Sequence, residues 1–214
     1  MHVYKSISIK NLSAFIPIKS QGISSGMRDK FCNGYTFINS IQIADKVQDD
    51  LERSKISQSV EEFVIMPSLN FIQKYKNELE NWTTAPVHLK FVSNQIGFGV
   101  FASEKILNGS LLGIYAGVLK RRSDLENTLY SFAYMPKQFN IVDLVVDAHQ
   151  SGNVTRFIND SINNNANVQH IYFEGKWYLV FLASMDINKN QQVLINYGKS
   201  YFKTNKINRI ELYP

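Results

Sequence analysis

The pattern of apolar residues changes near Pro86, and no other feature of this 214-residue chain constrains its fold as strongly. Before Pro86, apolar residues recur at helical spacing in two stripes. After Pro86, short runs of β-branched and aromatic residues alternate with turns that contain Gly or Asn. The sequence therefore predicts a helical N-terminal segment, residues 1–85, followed by a β-rich domain of about 120 residues.

The two apolar stripes of the N-terminal segment have the spacing of helix faces. The first stripe contains Phe37, Ile38, Ile41, Ala44, Val47 and Leu51. The second stripe contains Val60, Phe63, Val64, Leu69, Ile72, Tyr75 and Leu79. Pro67 should kink or break this second element. Free helices would expose these side chains to water, so we expect residues 1–85 to pack against the β-rich domain.

The β-rich part is predicted from its short runs of strand-forming residues. These runs are residues 87–92, 99–102, 111–115, 141–146, 170–173 and 177–181. The sequence Glu-Gly-Lys at residues 174–176 separates the last two runs, which predicts a β-hairpin.

Composition excludes several classes of protein. Hydrophobic residues make up 44% and charged residues 19%, which excludes a wholly disordered chain. No apolar run approaches the roughly 20 residues that span a bilayer, so we expect no membrane partner. The single cysteine, Cys32, excludes a disulfide framework and a cysteine-cluster zinc site. Because the first residues lack the apolar stretch of a secretory signal, we expect an intracellular protein, cytoplasmic by default.

The chain is modestly basic. Lys and Arg number 23 against 18 for Asp and Glu, which gives a net charge of +5. The densest basic runs are residues 120–122 and the tail from Lys199 to Arg209. A solvated surface explains this excess, because a nucleic-acid groove shows denser basic clusters with interleaved aromatic residues. Direct binding to nucleic acid or chromatin remains an alternative that needs no enzymatic activity.

Four short motifs in the β-rich half carry the candidate chemistry. They are GFGVFA at residues 97–102, VVDA through RFINDS at 145–161, NNNANV at 163–168, and VLINYG at 193–198 with Tyr201-Phe202 after it. Glycines such as Gly97 and Gly99 let the backbone approach a ligand closely. Taken singly, the motifs are also typical of a β-turn, a self-capping loop and a final strand with aromatic packing.

In this order and spacing, the motifs resemble those of the SET-domain protein lysine methyltransferases, over residues 86–202. The resemblance implies a mainly β (α+β) fold of several short sheets with a knot-like C-terminal arrangement. It places the SET domain at residues 86–203 and leaves a basic tail at 204–214. With Cys32 as its single cysteine, the chain resembles the compact bacterial and viral members, which have no zinc modules and need no metal.

Five positions depart from the motifs of the family. The family's His after Asn159 is Asp160 here, its Cys is Ile162 and its Pro is Asn164. In the last motif, Asn196 replaces an Asp and Gln192 replaces an acidic residue. These departures raise a second hypothesis, a catalytically inactive SET or PR-like module that binds proteins.

The resemblance implies methyl transfer from S-adenosylmethionine to the ε-amine of a lysine, with S-adenosylhomocysteine as product. The amine must first lose its proton, whose pKa in model peptides is about 10.4. The substrate would be a histone or another basic protein. An effector that acts on host chromatin, and hence a nuclear or host-cell location, is left open, as are the target lysine and the oligomeric state.

The resemblance also assigns roles to individual residues. The catalytic residues would be Tyr197 and Tyr130. Residues that bind the cofactor would be Gly97, Phe98, Gly99, Arg156, Asn159, Asp160, Tyr197 and Phe202. Residues that line the lysine channel would be Tyr115, Tyr130, Tyr134 and Ile195. For Arg156, a structural ion pair with Asp147 or Asp160 is an equal alternative.

The residue two before the terminal tyrosine tunes the number of methyl groups in this family. That residue is Ile195, which has no hydroxyl to hold a water beside the amine. The expected product is therefore di- or trimethyl-lysine, unless Tyr115, Tyr130 or Tyr134 supplies a hydroxyl from another wall.

Overall fold

A computed structural model describes residues 7–8, 35–53, 69–139 and 142–214. Most of its regular structure is β, in several small sheets, with few helices, as the sequence predicts. The strands are β1 (Ile7–Ser8), β2 (Thr36–Phe37), β3 (Ile41–Ile43), β4 (Val87–Ser93), β5 (Gly97–Ala102), β6 (Leu111–Ile114), β7 (Gly117–Arg121), β8 (Ser131–Ala133), β9 (Leu144–Asp147), β10 (Ser151–Gly152), β11 (Asn159–Asp160), β12 (Ala166–Phe173), β13 (Lys176–Ala183) and β14 (Leu194–Ile195). The α-helices are α1 (Gln48–Arg53), α2 (Leu69–Asn81) and α3 (Lys199–Asn205), and 3-10 turns cover Asp45–Val47, Arg122–Asp124 and Val154–Phe157. No helix among the described ranges is long and apolar enough to cross a membrane.

The first apolar stripe is not a helix, and this prediction was wrong. Its first part forms β2 and β3 instead. β3 pairs in parallel with β7, and β2 pairs in parallel with β10. The edges of β7 and β10 supply hydrogen-bond partners for the backbone of the stripe. Such tertiary pairing overrides the helical spacing of the side chains. Only the end of the stripe is helical, with Val47 in a 3-10 turn and Leu51 in α1.

The second apolar stripe forms α2 in its later half. Tyr75 and Leu79 are buried on this helix, in a cluster with Ile114 of β6 and Val180 of β13. The Tyr75 hydroxyl donates a hydrogen bond to the carbonyl oxygen of Gly109. The helix therefore covers the outer face of the β6–β13 pair. The earlier half of the stripe, with Val60, Phe63, Val64 and Pro67, lies outside the described residues.

The predicted hairpin is confirmed. β12 and β13 pair antiparallel from Ala166 opposite Ala183 to Phe173 opposite Lys176. Glu174 and Gly175 form the turn, and both have positive φ, at 48° and 75°. Two positive φ values are the signature of a type I′ turn, whose twist matches that of the strands.

Two short strands that pair side by side position the candidate site, and we call this pair the crossing. β11 pairs in parallel with β14, so Asn159 lies opposite Leu194 and Asp160 lies opposite Ile195. The buried side chain of Asn165 joins the same segments, since it donates to the Gln192 carbonyl at 2.8 Å and accepts from the Leu194 amide at 2.9 Å. This crossing brings together motifs far apart in sequence. The knot-like arrangement itself stays a prediction.

The C-terminal segment, residues 206–214, follows α3. α3 crosses the boundary that the sequence places between residues 203 and 204. It ends at Lys206, which has a left-handed conformation with φ 53° and ψ 39°. Beyond it, Arg209 and Glu211 return to the strand crossing, with Arg209 beside Asp160 and Glu211 beside Ser161. These bonds attach the segment to the domain surface.

Candidate active site

A cavity of about 330 Å³, which we call the tyrosine cavity, lies beside the crossing of β11 and β14. The predicted site residues that line it are Tyr115, Tyr130, Arg156, Ile195 and Tyr197. They come from β14 and the turns that follow β6, β10 and β14, and from the chain before β8. The fold thus gathers five separate predictions in one place.

Tyr197 is fixed at both its backbone and its side chain. Its amide donates to Asp160 Oδ1 at 2.7 Å, and its hydroxyl donates to the Ile158 carbonyl at 2.6 Å. Burial, more than the nearby Tyr201 and Asp160, raises the pKa of the Tyr197 phenol far above its ordinary value. The phenol is therefore neutral at physiological pH. It can offer an oxygen lone pair to a ligand but cannot act as a phenolate base.

Tyr115 forms a second fixed wall of the tyrosine cavity. Its hydroxyl donates to the carbonyl oxygen of Tyr130 at 2.7 Å. Its ring meets the ring of Phe132 edge-on, with centroids 4.8 Å apart. Burial raises the pKa of Tyr115 well above its ordinary value, so this phenol is also neutral.

Arg156 is held by aromatic faces. Its guanidinium lies 3.9 Å from the ring centroid of Tyr130, 4.6 Å from that of Tyr35 and 4.7 Å from that of Phe157. Its Nε donates to the Ala148 carbonyl at 2.9 Å. Stacking of this kind stabilises a guanidinium by cation–π attraction.

The alternative that Arg156 forms an ion pair with Asp147 or Asp160 was wrong. Asp147 pairs with Lys120 at 2.8 Å, and Asp160 pairs with Arg209 at 2.8 Å. Each carboxylate is satisfied by a basic residue close to it in the fold, which leaves the Arg156 charge facing the tyrosine cavity.

The charge of the tyrosine cavity favours a neutral amine. Among the described residues that line it, the charged ones are Arg122 and Arg156. Arg122 is paired with Asp143 at 3.0 Å, so Arg156 carries the positive charge that acts on the cavity. A lysine side chain in this cavity would lose water and meet positive charge. Both effects lower the pKa of an ammonium group, so the cavity promotes loss of its proton.

Gly97, Phe98 and Gly99 form a second group next to the crossing. The Asn159 side chain donates to the Phe98 carbonyl at 3.1 Å. A Cβ atom on Gly99 would lie 2.4 Å from Gln192 Nε2 and 3.0 Å from Asn159 Nδ2, so any larger residue there would have to displace these amides. The two amide side chains and β5 define a cradle, which we call the glycine cradle.

The glycine cradle contains polar groups that suit a polar ligand. Gln192 is buried, and its side-chain nitrogen has no hydrogen-bond partner among the described residues. Because this donor is buried without a partner, an oxygen or nitrogen atom of a ligand would accept its hydrogen bond. The Phe98 ring lies in the core, edge-on to Phe91 at 5.8 Å, so this residue can offer only its backbone. These residues suit the polar amino-acid portion of a cofactor.

Tyr134 and Phe202 belong to neither the tyrosine cavity nor the glycine cradle. Tyr134 lines a different cavity, of about 760 Å³, where its hydroxyl accepts from the Trp177 amide at 3.2 Å. Burial raises its pKa to about 12. Tyr134 is separated because β8 ends at Ala133 and the chain bends there toward the hairpin. Phe202 lies under the guanidinium of Arg209, with a distance of 4.7 Å to its ring centroid.

Two residues at the site were missed by sequence reasoning. Gln192 was noted only as a departure from the family motif, and Arg209 only as part of a basic tail. A buried glutamine cannot be distinguished from an exposed one by composition. The contact of Arg209 with Asp160 joins residues 49 positions apart, so no local pattern could have revealed it.

The comparisons with known proteins identify the family of the domain that contains this site. A family model described as "SET domain" matches residues 97–198. These residues form a SET domain, and the relatives of the chain include SET-domain methyltransferases. The resemblance predicted from the sequence motifs is therefore confirmed.

Two curated relatives and one solved structure illustrate the match. Histone-lysine N-methyltransferase EZH2 of Chaetomium thermophilum is 28% identical over 115 residues, which are 49% of this chain and 8% of the relative. N-lysine methyltransferase KMT5A-A of Danio rerio is 28% identical over 123 residues, which are 51% of this chain and 34% of the relative. The chain thus spans about a third or less of these relatives. A crystal structure of ATXR5 in complex with histone H3.1 has the same fold, with a TM-score of 0.61 at 13% identity, over 85% of this chain and 88% of that one.

Proposed function

We propose that this protein transfers methyl groups from S-adenosylmethionine to the ε-amine of a lysine in a protein substrate. The observation that carries this proposal is the tyrosine cavity, where Tyr115, Tyr130 and Tyr197 meet beside the crossing of β11 and β14. The relatives named histone-lysine or N-lysine methyltransferases support it, and they make a histone the first substrate to test.

The glycine cradle is the proposed place of the cofactor. Asn159 and Gln192 would bind it through their side-chain amides, and Gly97 and Gly99 through the close approach of their backbone. When bound, S-adenosylmethionine supplies an electrophilic methyl group on a sulfonium. Phe202 would offer a ring face to its adenine, and stacking of this kind contributes about 1–3 kcal/mol where it has been measured with nucleic-acid bases.

The tyrosine cavity prepares the lysine amine. Its aromatic walls remove water, and the charge of Arg156 opposes an ammonium. The amine therefore loses its proton to solvent before reaction and presents a lone pair. Tyr197 and Tyr115 are neutral phenols whose oxygens can accept N–H or C–H groups, which aligns the amine. Alignment of two reactants can contribute several kcal/mol, on the order of 7–11 kcal/mol at most.

We also propose that the product is di- or trimethyl-lysine. Ile195 lines the tyrosine cavity, is 1% exposed and has no hydroxyl. The hydroxyl hydrogens of Tyr115 and Tyr197 already bond to backbone carbonyls. These two hydroxyls have no hydrogen left to hold a water beside the amine. Di- or trimethylation therefore requires that the Tyr130 hydroxyl, which also lines the cavity, holds none either. Mass spectrometry of the product over a long time course tests this, and a product that stops at one methyl group with excess cofactor would contradict it.

The activity is tested by incubation with labelled S-adenosylmethionine and a panel of histones and ribosomal proteins. We expect label in a substrate with the natural protein and a large loss with Tyr197→Phe. Calorimetry with S-adenosylmethionine separates the inactive-module alternative, because such a module would release no heat. If the protein instead shifts DNA in a salt-dependent way and methylates nothing, the nucleic-acid alternative is correct.

The two departures beside the catalytic tyrosine are structurally integrated, which supports an enzyme over an inactive module. Asp160 accepts a hydrogen bond from the Tyr197 amide, and Asn196 accepts one from the Gly198 amide at 2.9 Å. Both side chains also bond to Arg209. The substituted residues therefore hold the terminal tyrosine in place, where a degenerating site would have lost such contacts.

A further inference from the structure

Asp160 is the only described side chain that bonds the backbone of Tyr197. Its Oδ1 accepts a hydrogen bond from the Tyr197 amide, and its side chain is 8% exposed. A buried carboxylate is stable only when a cation or several donors compensate its charge. The strand ladder at this place is weak, because β11 and β14 pair through two residues each. The position of Tyr197 thus depends on the charge state and placement of one carboxylate.

Arg209 supplies the compensating charge. Its Nε lies 2.8 Å from Asp160 Oδ2, and its Nη2 lies 3.2 Å from Asp160 Oδ1. The Nε contact is an ion pair without an aligned hydrogen bond, whereas Nη2 donates to Oδ1. Nη2 also donates to Asn196 Oδ1 at 3.0 Å, and the guanidinium covers the Phe202 ring. One side chain thereby contacts residues on both sides of Tyr197 in sequence.

The residues after Arg209 fasten the same segment to β11. The Ser161 hydroxyl lies 2.8 Å from Glu211 Oε1 and 2.6 Å from the Leu212 carbonyl oxygen, and it donates to one of them. The amide of Ile162 donates to Glu211 Oε1 at 3.2 Å. These contacts keep Arg209 next to Asp160 without any metal ion.

We propose that Arg209 is a positioning residue, which holds the Asp160 carboxylate against the Tyr197 amide and so keeps the Tyr197 phenol in the tyrosine cavity. This inference rests on the proposed methyl transfer. It assigns the C-terminal segment a role within the active site, distinct from that of a basic tail that binds nucleic acid. Loss of Arg209 should misplace the phenol while the glycine cradle stays intact.

The experiment compares Arg209→Ala, Arg209→Lys and the natural protein in steady-state methylation, with Lys105→Ala as control. Lys105 also forms an ion pair, with Asp186 at 2.8 Å, but both residues are exposed and neither lines the tyrosine cavity. We expect kcat of Arg209→Ala to fall about 10- to 100-fold, as small misplacements do. The Kd of S-adenosylmethionine should rise by a smaller factor, because Arg209 also covers the Phe202 ring. Added guanidinium should restore part of kcat, and Arg209→Lys should retain more activity than Arg209→Ala.

A merely structural role would lower thermal stability without lowering kcat of the folded variant. Unchanged kcat in Arg209→Ala, or a loss that neither guanidinium nor lysine restores in a folded variant, would overturn the proposal. If Arg209→Ala does not fold, Arg209→Lys carries the test through the same kcat and Kd comparison.

A readout without activity separates this inference from the proposed function. Amide hydrogen exchange at Tyr197 should be faster in Arg209→Ala than in the natural protein, because its acceptor is displaced. If the natural protein methylates nothing, the proposed function fails, and faster exchange would still support the positioning role. Equal exchange rates in a folded Arg209→Ala would refute it.

Discussion

The hairpin of β12 and β13 and the crossing of β11 and β14 are built in opposite ways. The hairpin has a continuous ladder from Ala166 to Phe173, and its buried face is apolar. The crossing has two paired residues on each strand and relies on the side chains of Asp160 and Asn165. Many small contributions support the hairpin, whereas single polar side chains support the crossing. The geometry of the proposed active site therefore depends on individual residues more than the fold does.

The largest expected effect tests the chemistry at the crossing. Tyr197→Phe should lower methyl transfer about 100- to 1000-fold, since removal of one positioned polar group at a reacting centre has this effect. The free energy of unfolding should fall by about 1–3 kcal/mol, because the Ile158 carbonyl loses its donor. Activity assays and thermal unfolding measure the two quantities.

Tyr213→Phe is the matched control for this substitution. Tyr213 is 72% exposed, so its hydroxyl should not contribute to activity. Similar losses in both variants would show that the phenol of Tyr197 has no special role.

The next effect tests how the crossing is held together. Asn165→Ala removes the donor to the Gln192 carbonyl and the acceptor of the Leu194 amide, which leaves two buried backbone groups unpaired. The free energy of unfolding should fall by about 2–4 kcal/mol. Denaturant unfolding measures it, with the exposed residue Asn167 of the hairpin, changed to Ala, as control. An effect below about 0.5 kcal/mol in Asn165→Ala would show that the short ladder suffices.

A smaller effect tests the glycine cradle. Gly99→Ala should displace the amides of Gln192 and Asn159 and lower the affinity for S-adenosylmethionine about 10-fold, which corresponds to about 1.4 kcal/mol. Calorimetry measures the affinity. Gly175→Ala in the hairpin turn is the control, because a Cβ there has nothing within 4 Å, although its φ of 75° adds backbone strain. Equal affinities in both variants would place the cofactor elsewhere.

The smallest effect concerns the hairpin and pH. Burial lowers the pKa of His170, which lies on β12 with its Nε2 2.9 Å from the Ala133 carbonyl oxygen. Because the unfolded chain takes up this proton more readily, stability should be full above about pH 6.5 and decline as the pH falls below that value. Thermal unfolding between pH 5 and 7.5 should show this decline, and His170→Gln should reduce it. An unchanged pH profile in the variant would exclude His170 as its cause.

The strands that pair with near neighbours could be predicted from the sequence. The hairpin and the pair of β4 and β5 follow from short apolar runs between turn residues, because local composition suffices for such pairs. The first stripe was misassigned, since β2 and β3 receive their partners from β10 and β7. No helical or strand spacing within residues 36–43 reveals a partner so far along the chain.

The sequence by itself determined the SET-domain motifs, the β-rich character after Pro86 and the identities of Tyr115, Tyr130, Ile195 and Tyr197 as site residues to examine. Only the tertiary structure decided that Tyr134 belongs to another cavity, that Arg156 stacks on aromatic rings, and that Arg209 pairs with Asp160. Each motif contains residue types that a site needs, and the spacing within a motif covers only a short segment of the chain. Ion pairs and cavities join residues that are distant in sequence, and their partners are fixed only when the strands cross.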